Sequence, residues 1–221
     1  VAKAIAQGDG YRIISLPTAP PQTKYPFLYS YLLSWFWGVH SSFPGNIFLL
    51  KSLNIAVLIA IFFLALALYR RIFPHASLGA SVFAILLCTN PIVFTYTDFV
   101  VSDLLFVLLS LAGVFVSRRK ADSIGSVLWL AVVGGAACLI RVAAAPLVLA
   151  GMVQSVVRRR WIGAVSFIAV VLVFLVPWFY WIWSERVDAT YALLCYYSAY
   201  DFASGSSRAS GEWLAGHMAV L

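Results

Sequence analysis

Residues 47–68 read IFLLKSLNIAVLIAIFFLALAL, twenty-two positions carrying one charge, Lys51. A helix of about 20 apolar residues crosses roughly 30 Å of hydrocarbon. Residues 162–183, IGAVSFIAVVLVFLVPWFYWIW, repeat the pattern with no charge at all. The apolar runs are continuous and do not alternate. In lipid every backbone N–H and C=O must be paired within the segment, so helices are predicted and not barrel strands. The fold class expected is all-α, a polytopic membrane helix bundle with an interfacial helix in an outer loop.

Composition points the same way. Of the 221 residues 63% are hydrophobic and 10% charged, against about 25% charged in an ordinary soluble domain. The net charge of +7 gathers in Arg70-Arg71, Arg118-Arg119-Lys120 and Arg158-Arg159-Arg160 between apolar runs. Such clusters set topology and do not form a polyanion groove, so no nucleic-acid partner is expected. Three scattered cysteines make neither a disulfide framework nor a metal site.

Spans are expected at 47–68, 78–96, 99–117, within 123–157 and at 162–183, five or six helices in all. The positive-inside rule places the three basic clusters in the cytoplasm and the connection at Thr97-Asp98 outside. The stretch 121–157 leaves the cytoplasm and must return to it, and its length allows two short legs. A helical hairpin is therefore predicted there, with Arg141 at or near the turn and Pro146 close to the start of the returning leg. Residues 27–39, too short to span and rich in Trp and Tyr, are expected to lie at the interface. Three regions follow: an extracytoplasmic loop with its interfacial helix over 1–46, the bundle over 47–183, and an extracytoplasmic segment over 184–221. The chain begins at Val1 without Met and is expected to be a piece of a longer protein, with one further helix ahead of Val1.

No Walker loop, His-Glu-x-x-His, Cys-x-x-Cys or Gly-x-Ser-x-Gly occurs. Ionisable residues at membrane depth are costly, which makes each one a candidate. Asp103 is expected about one turn inside a span that starts at the outer face. It is either a functional carboxylate or a structural hydrogen-bonding group. Asp98, nearer water, is either a rival acid or the cap of a helix starting at Phe99. Arg141 suits a lipid phosphate or a neighbouring carboxylate, or it anchors a turn by snorkelling. Lys51 and Asn54 lie near the outer end of the first span and can join the same polar cluster. The loop GDGYRIISLPTAPPQTKYPFLYSYLL, residues 8–33, combines a glycine turn, a proline pair, a cation and aromatics, as loops that shape a site often do.

These strings resemble a family. AxxxxxGDGY at 2–11, KYPFLYSYLLS at 24–34, KSLNI at 51–55, NP at 90–91 followed by SDLLF at 102–106, and LIR at 139–141 are similar, in that order, to multi-spanning glycosyltransferases of the C-type fold. That family includes protein mannosyltransferases and the aminoarabinose transferase of lipid A, which use polyprenyl-phosphate-linked sugars. The resemblance implies sugar transfer to an acceptor hydroxyl on a lipid, glycan or protein, at the extracytoplasmic face of the cell's inner membrane. It implies Asp103 as the general base that takes the acceptor proton, with Asp98 as its rival, Arg141 and Lys24 holding the lipid phosphate, and Tyr11 and Lys51 as further substrate-binding residues. A first-loop catalytic acid would precede Val1. No cofactor or metal is carried over. The alternative reading is a multi-spanning transporter, flippase or non-catalytic scaffold.

Overall fold

The computed structural model describes residues 1–16, 19–117 and 124–185. Among them every regular element is helical, and the β pairing is confined to an isolated antiparallel bridge between Arg12 and Pro21. The helices are α1 (Ala2–Gln7), α2 (Leu28–Val39), α3 (Asn46–Ile72), α4 (Ser77–Thr89), α5 (Pro91–Asp98), α6 (Asp103–Ser117), α7 (Ile124–Cys138), α8 (Ala145–Val157) and α9 (Trp161–Ser184), with a 3-10 turn at Val142–Ala144 ahead of α8.

Two helices, α3 and α9, are long and apolar enough to cross a bilayer. Only 22% and 28% of their most apolar windows are buried, the reverse of a core helix in a water-soluble protein. On α3 the buried residues Leu50, Asn54, Val57, Ile61 and Ala65 recur every three or four positions, a single inward stripe. Its other faces are also apolar, with Phe48 81% and Phe63 63% exposed. Such a surface matches lipid as the surrounding solvent.

The remaining apolar helices are shorter than a full span, and two breaks explain part of the difference from the expected lengths. The run 78–96 is divided at Asn90, whose backbone is extended (φ −72°, ψ 111°). The following Pro91 disfavours the α region there and brings no N–H to continue the ladder. The run 99–117 becomes helical only at Asp103. In an unbroken helix the Phe99 carbonyl would accept the Asp103 N–H, but it accepts the Asn54 side-chain amide at 2.6 Å. Asp98 therefore ends α5 and does not cap a helix at Phe99, and Asp103 opens α6 and does not lie one turn inside it. The two acids stand on different helices. Residues 118–120, the second basic cluster, and residues 186–221, most of the expected terminal segment, lie outside the described residues.

Between α7 and α8 the chain turns at Leu139-Ile140-Arg141. Gly134 of α7 faces Val148 of α8, and Gly151 of α8 faces Leu130 of α7, so the two helices run antiparallel. Glycines let α9 approach as well. A Cβ on Gly135 would come within 2.8 Å of the Phe174 ring, and one on Gly151 within 2.7 Å of Phe167. Backbones held this close by small residues are the usual device of helix packing in lipid. Val127, Leu130, Ala131, Phe167 and Val171 form the core they enclose.

The two ends of the bundle differ. At one end Arg71 lies over the Phe115 ring, 5.4 Å from its centroid, and Gln154 donates to the Ser117 carbonyl beside Arg158 and Arg160. The other end is closed by α2, whose Tyr29 and Leu33 pack with Leu50 of α3 and Ile140 of the turn.

Candidate functional site

The polar residues of the closed end converge on the start of α6. Asp103 is its first residue, where a carboxylate also meets the positive end of the helix dipole. Its Oδ1 accepts from Arg141 Nη1 at 2.6 Å. The backbone around Arg141 is held on both sides: its N–H donates to the Ala137 carbonyl (2.9 Å) and its carbonyl accepts the Ala144 N–H (3.0 Å). The guanidinium thus sits on a fixed turn. The pair remains accessible, with side chains 42% and 27% exposed.

Asn54 organises this end from below. It is buried, it donates to the Phe99 carbonyl, and its Oδ1 accepts the Tyr29 hydroxyl at 3.4 Å. One side chain thereby joins α3, α2 and the extended residues 99–102 that deliver Asp103. Leu28 at the start of α2 donates its N–H to the Leu139 carbonyl (3.1 Å), tying the loop to the Arg141 turn.

The other site candidates separate. Lys51 pairs with Asp98 at 3.4 Å, with side chains 35% and 76% exposed, a geometry that contributes little in water. Lys24 holds its ammonium over the Tyr25 ring, 5.7 Å from the centroid. The Tyr11 hydroxyl donates to the Tyr25 carbonyl (2.8 Å), and its ring meets Trp178 and Trp181 edge-on. Burial pushes the Tyr11 phenol above its ordinary pKa, which keeps it neutral and able to donate.

A cavity of about 620 Å³ runs between α3, α4, α5 and α6. Leu58, Phe62, Leu87, Val93 and Leu104 line it, and Asp103 is the one carboxylate in its wall among the described residues. The space is apolar apart from that carboxylate and the polar groups of Cys88 and Tyr96. A second cavity, of about 380 Å³, lies among Tyr11, Phe27, Tyr31, Trp178 and Trp181. Trp178 and Trp181 are not among the residues that the sequence singles out; the string PWFYWIW at 177–183 carries the signal but reads equally as an interfacial belt. Among the described residues no three His, Cys, Asp or Glu side chains cluster as metal ligands would.

No family model, curated protein or solved structure matches this chain.

Proposed function

We propose that the chain is the membrane part of a sugar transferase that moves a glycosyl group from a polyprenyl-phosphate donor to an acceptor hydroxyl. The observation that carries the reading is the accessible Asp103–Arg141 pair, whose carboxylate also lines an apolar cavity of about 620 Å³. Lone charges of opposite sign on α6 and the α7–α8 turn meet at the end remote from Arg71, Arg158 and Arg160. With the basic end cytoplasmic by the positive-inside rule, the site faces outward. In this reading α3, α6, the α7–α8 hairpin and α9 are membrane helices of a polytopic bundle in the cell's inner membrane, and α2 lies at its outer interface.

The chemistry follows from the two groups. Asp103 takes the proton of the acceptor hydroxyl. The acceptor oxygen then bonds to the anomeric carbon as that carbon's bond to the phosphate oxygen breaks, and the electron pair leaves with the polyprenyl phosphate. A guanidinium has five N–H donors. One of them holds Asp103, which leaves others to bind the phosphate and stabilise the charge that grows on it. The apolar cavity takes the isoprenoid tail, and Lys24 adds positive charge at the loop.

The test is Asp103→Asn in the full-length protein, reconstituted with a polyprenyl-phosphate sugar and a hydroxyl acceptor. Turnover should fall by about 10²–10⁴-fold, the size of a general-base contribution, while folding is kept. Near-parental turnover in Asp103→Asn removes the carboxylate from the mechanism. Vectorial movement of an uncleaved lipid-linked sugar would favour a flippase instead.

A further inference from the structure

The aromatic cavity shares no lining residue with the apolar one beside Asp103, and nothing in the mechanism above uses it. We propose that it is a binding site for a single neutral pyranose ring, held by its C–H face against Trp181 and Tyr31 with Tyr11 and Trp178 as the floor. That this ring belongs to a transferred or accepting sugar rests on the function proposed above; its binding does not.

Three observations select the ligand class. First, the walls are faces and edges of rings: Tyr11 stands edge-on to Trp178 and Trp181 at 6.2 and 6.4 Å, and Phe27 tilts against Trp178 at 6.4 Å. Aromatic faces carry negative charge density, which the polarised C–H bonds of a sugar ring meet favourably. Second, one side of the cavity is bare backbone. Gly8 and Gly10 both line it with positive φ (86° and 80°), and a Cβ on either would meet nothing within 4 Å. The Gly10 carbonyl accepts the Arg12 N–H and has a second lone pair for a ligand hydroxyl. Third, the surroundings disfavour a cation, the other usual occupant of an aromatic cage. Among the described residues the cavity wall contains no carboxylate, and residues 1–31, which form one side of it, carry Lys3, Arg12 and Lys24 against Asp9 alone.

A backbone hydrogen bond ties the cavity wall to the turn that carries Arg141. Phe27 in its wall precedes Leu28, whose N–H is bonded to the Leu139 carbonyl two residues before Arg141. A volume of about 380 Å³ falls at the small end of ligand sites, as suits one ring better than an extended chain.

Methyl α-mannoside, methyl β-glucoside and methyl β-galactoside, titrated against the full-length protein in nanodiscs and followed by saturation-transfer NMR, test this. At least one should receive saturation chiefly at its ring C–H protons. Its binding should weaken about tenfold in Tyr31→Leu and in Trp181→Leu, the loss expected for an aromatic contact, and stay unchanged in Trp129→Phe, an exposed tryptophan outside the cavity. Trp181 also donates to the Gln22 carbonyl, so the exposed Tyr31 supplies the variant that leaves the loop tethered. No pyranoside binding, or binding indifferent to both substitutions, overturns the proposal. So does occupancy by tetramethylammonium or octanoate, with the same sensitivity to both variants, in place of the pyranosides. Pyranoside binding in a protein that transfers no sugar leaves this site standing and sinks the proposed function. Sugar transfer with an unchanged KM in both variants does the opposite.

Discussion

Asn54→Leu should loosen the whole closed end while changing side-chain volume very little. Asn54 is 1% exposed and makes two hydrogen bonds, a short one to the Phe99 carbonyl (2.6 Å) and a long one from the Tyr29 hydroxyl (3.4 Å). Leucine abolishes both. The Phe99 carbonyl is left at the break between α5 and α6 without its partner, a loss of about 1–2 kcal/mol for a part-buried acceptor. The Tyr29 bond is at the limit of useful length and adds about 0.5 kcal/mol. Leucine recovers part of this through apolar burial, so a net loss of about 1–2 kcal/mol is expected. For a chain of this size that is a fall in melting temperature of about 3–6 °C.

Cys138 provides the assay, because it is buried in the described fold. With the other two cysteines replaced by serine, a thiol-reactive dye reports unfolding as Cys138 becomes accessible. Tyr29→Phe, which removes only the long bond, should melt within about 1–2 °C of the parent. If Asp103 acts in the proposed sugar transfer, turnover gives a second readout, since the extended residues 99–102 set where Asp103 stands and a displacement of about 1 Å at a reacting group can lower rate by about 10²-fold. The reasoning is refuted if Asn54→Leu melts with the parent and keeps its turnover, or if Tyr29→Phe costs as much as Asn54→Leu.

Two further substitutions test the packing. Gly151→Ala forces a methyl to within 2.7 Å of the buried Phe167 ring and should cost about 1–3 kcal/mol, whereas Gly163→Ala, whose nearest neighbour is 3.5 Å away, should be neutral or slightly stabilising in the same melting assay. Asn46 is fully buried, and neither amide atom has a hydrogen-bond partner among the described residues; Asn46→Leu should therefore raise stability by about 1 kcal/mol, and a melting temperature lowered by several degrees would reveal a partner for that amide.

The helical class is legible in the sequence because continuous apolar runs leave lipid-compatible backbone few choices, and α3 and α9 keep nearly the bounds their sequences suggest. The interruptions are less legible. Residues 99–102 continue the apolar run, and the extended stretch they form is held by Asn54, some 45 positions earlier in the chain, through its bond to the Phe99 carbonyl. Hydropathy cannot register a long-range hydrogen bond. The Asn90-Pro91 break is visible as a dipeptide, but Pro is tolerated inside membrane helices, as Pro177 is inside α9. At the site, Asp103 and Arg141 stand out as isolated charges in apolar strings. Tyr11 and Lys24 lie in a loop whose composition marks it as a candidate, but their substrate-binding role comes from the resemblance, and the structure gives each contacts within the loop or with α9. The aromatic cavity is hidden from a reading along the chain because its walls come from residues some 160 positions apart, and each string alone resembles an interfacial belt.

A structural ion pair would be the simplest account of Asp103 and Arg141, and its magnitude weighs against it. With side chains 42% and 27% exposed, the pair is screened by solvent and contributes on the order of 1 kcal/mol or less. The fold does not depend on that amount: the glycine-lined contacts of α7, α8 and α9 and the buried hydrogen bonds of Asn54 stabilise it at least as much without charge. A pair retained for stability would also gain from being sealed and bidentate, as Arg–carboxylate pairs are where they are strong. Here a single Nη1–Oδ1 contact leaves the rest of the guanidinium open, on a turn whose backbone is fixed by two hydrogen bonds. A rigid backbone beneath a cation with donors to spare, beside a carboxylate that lines an apolar cavity, contributes little to holding helices together. It suits the binding of a lipid-linked phosphate that the proposed function requires.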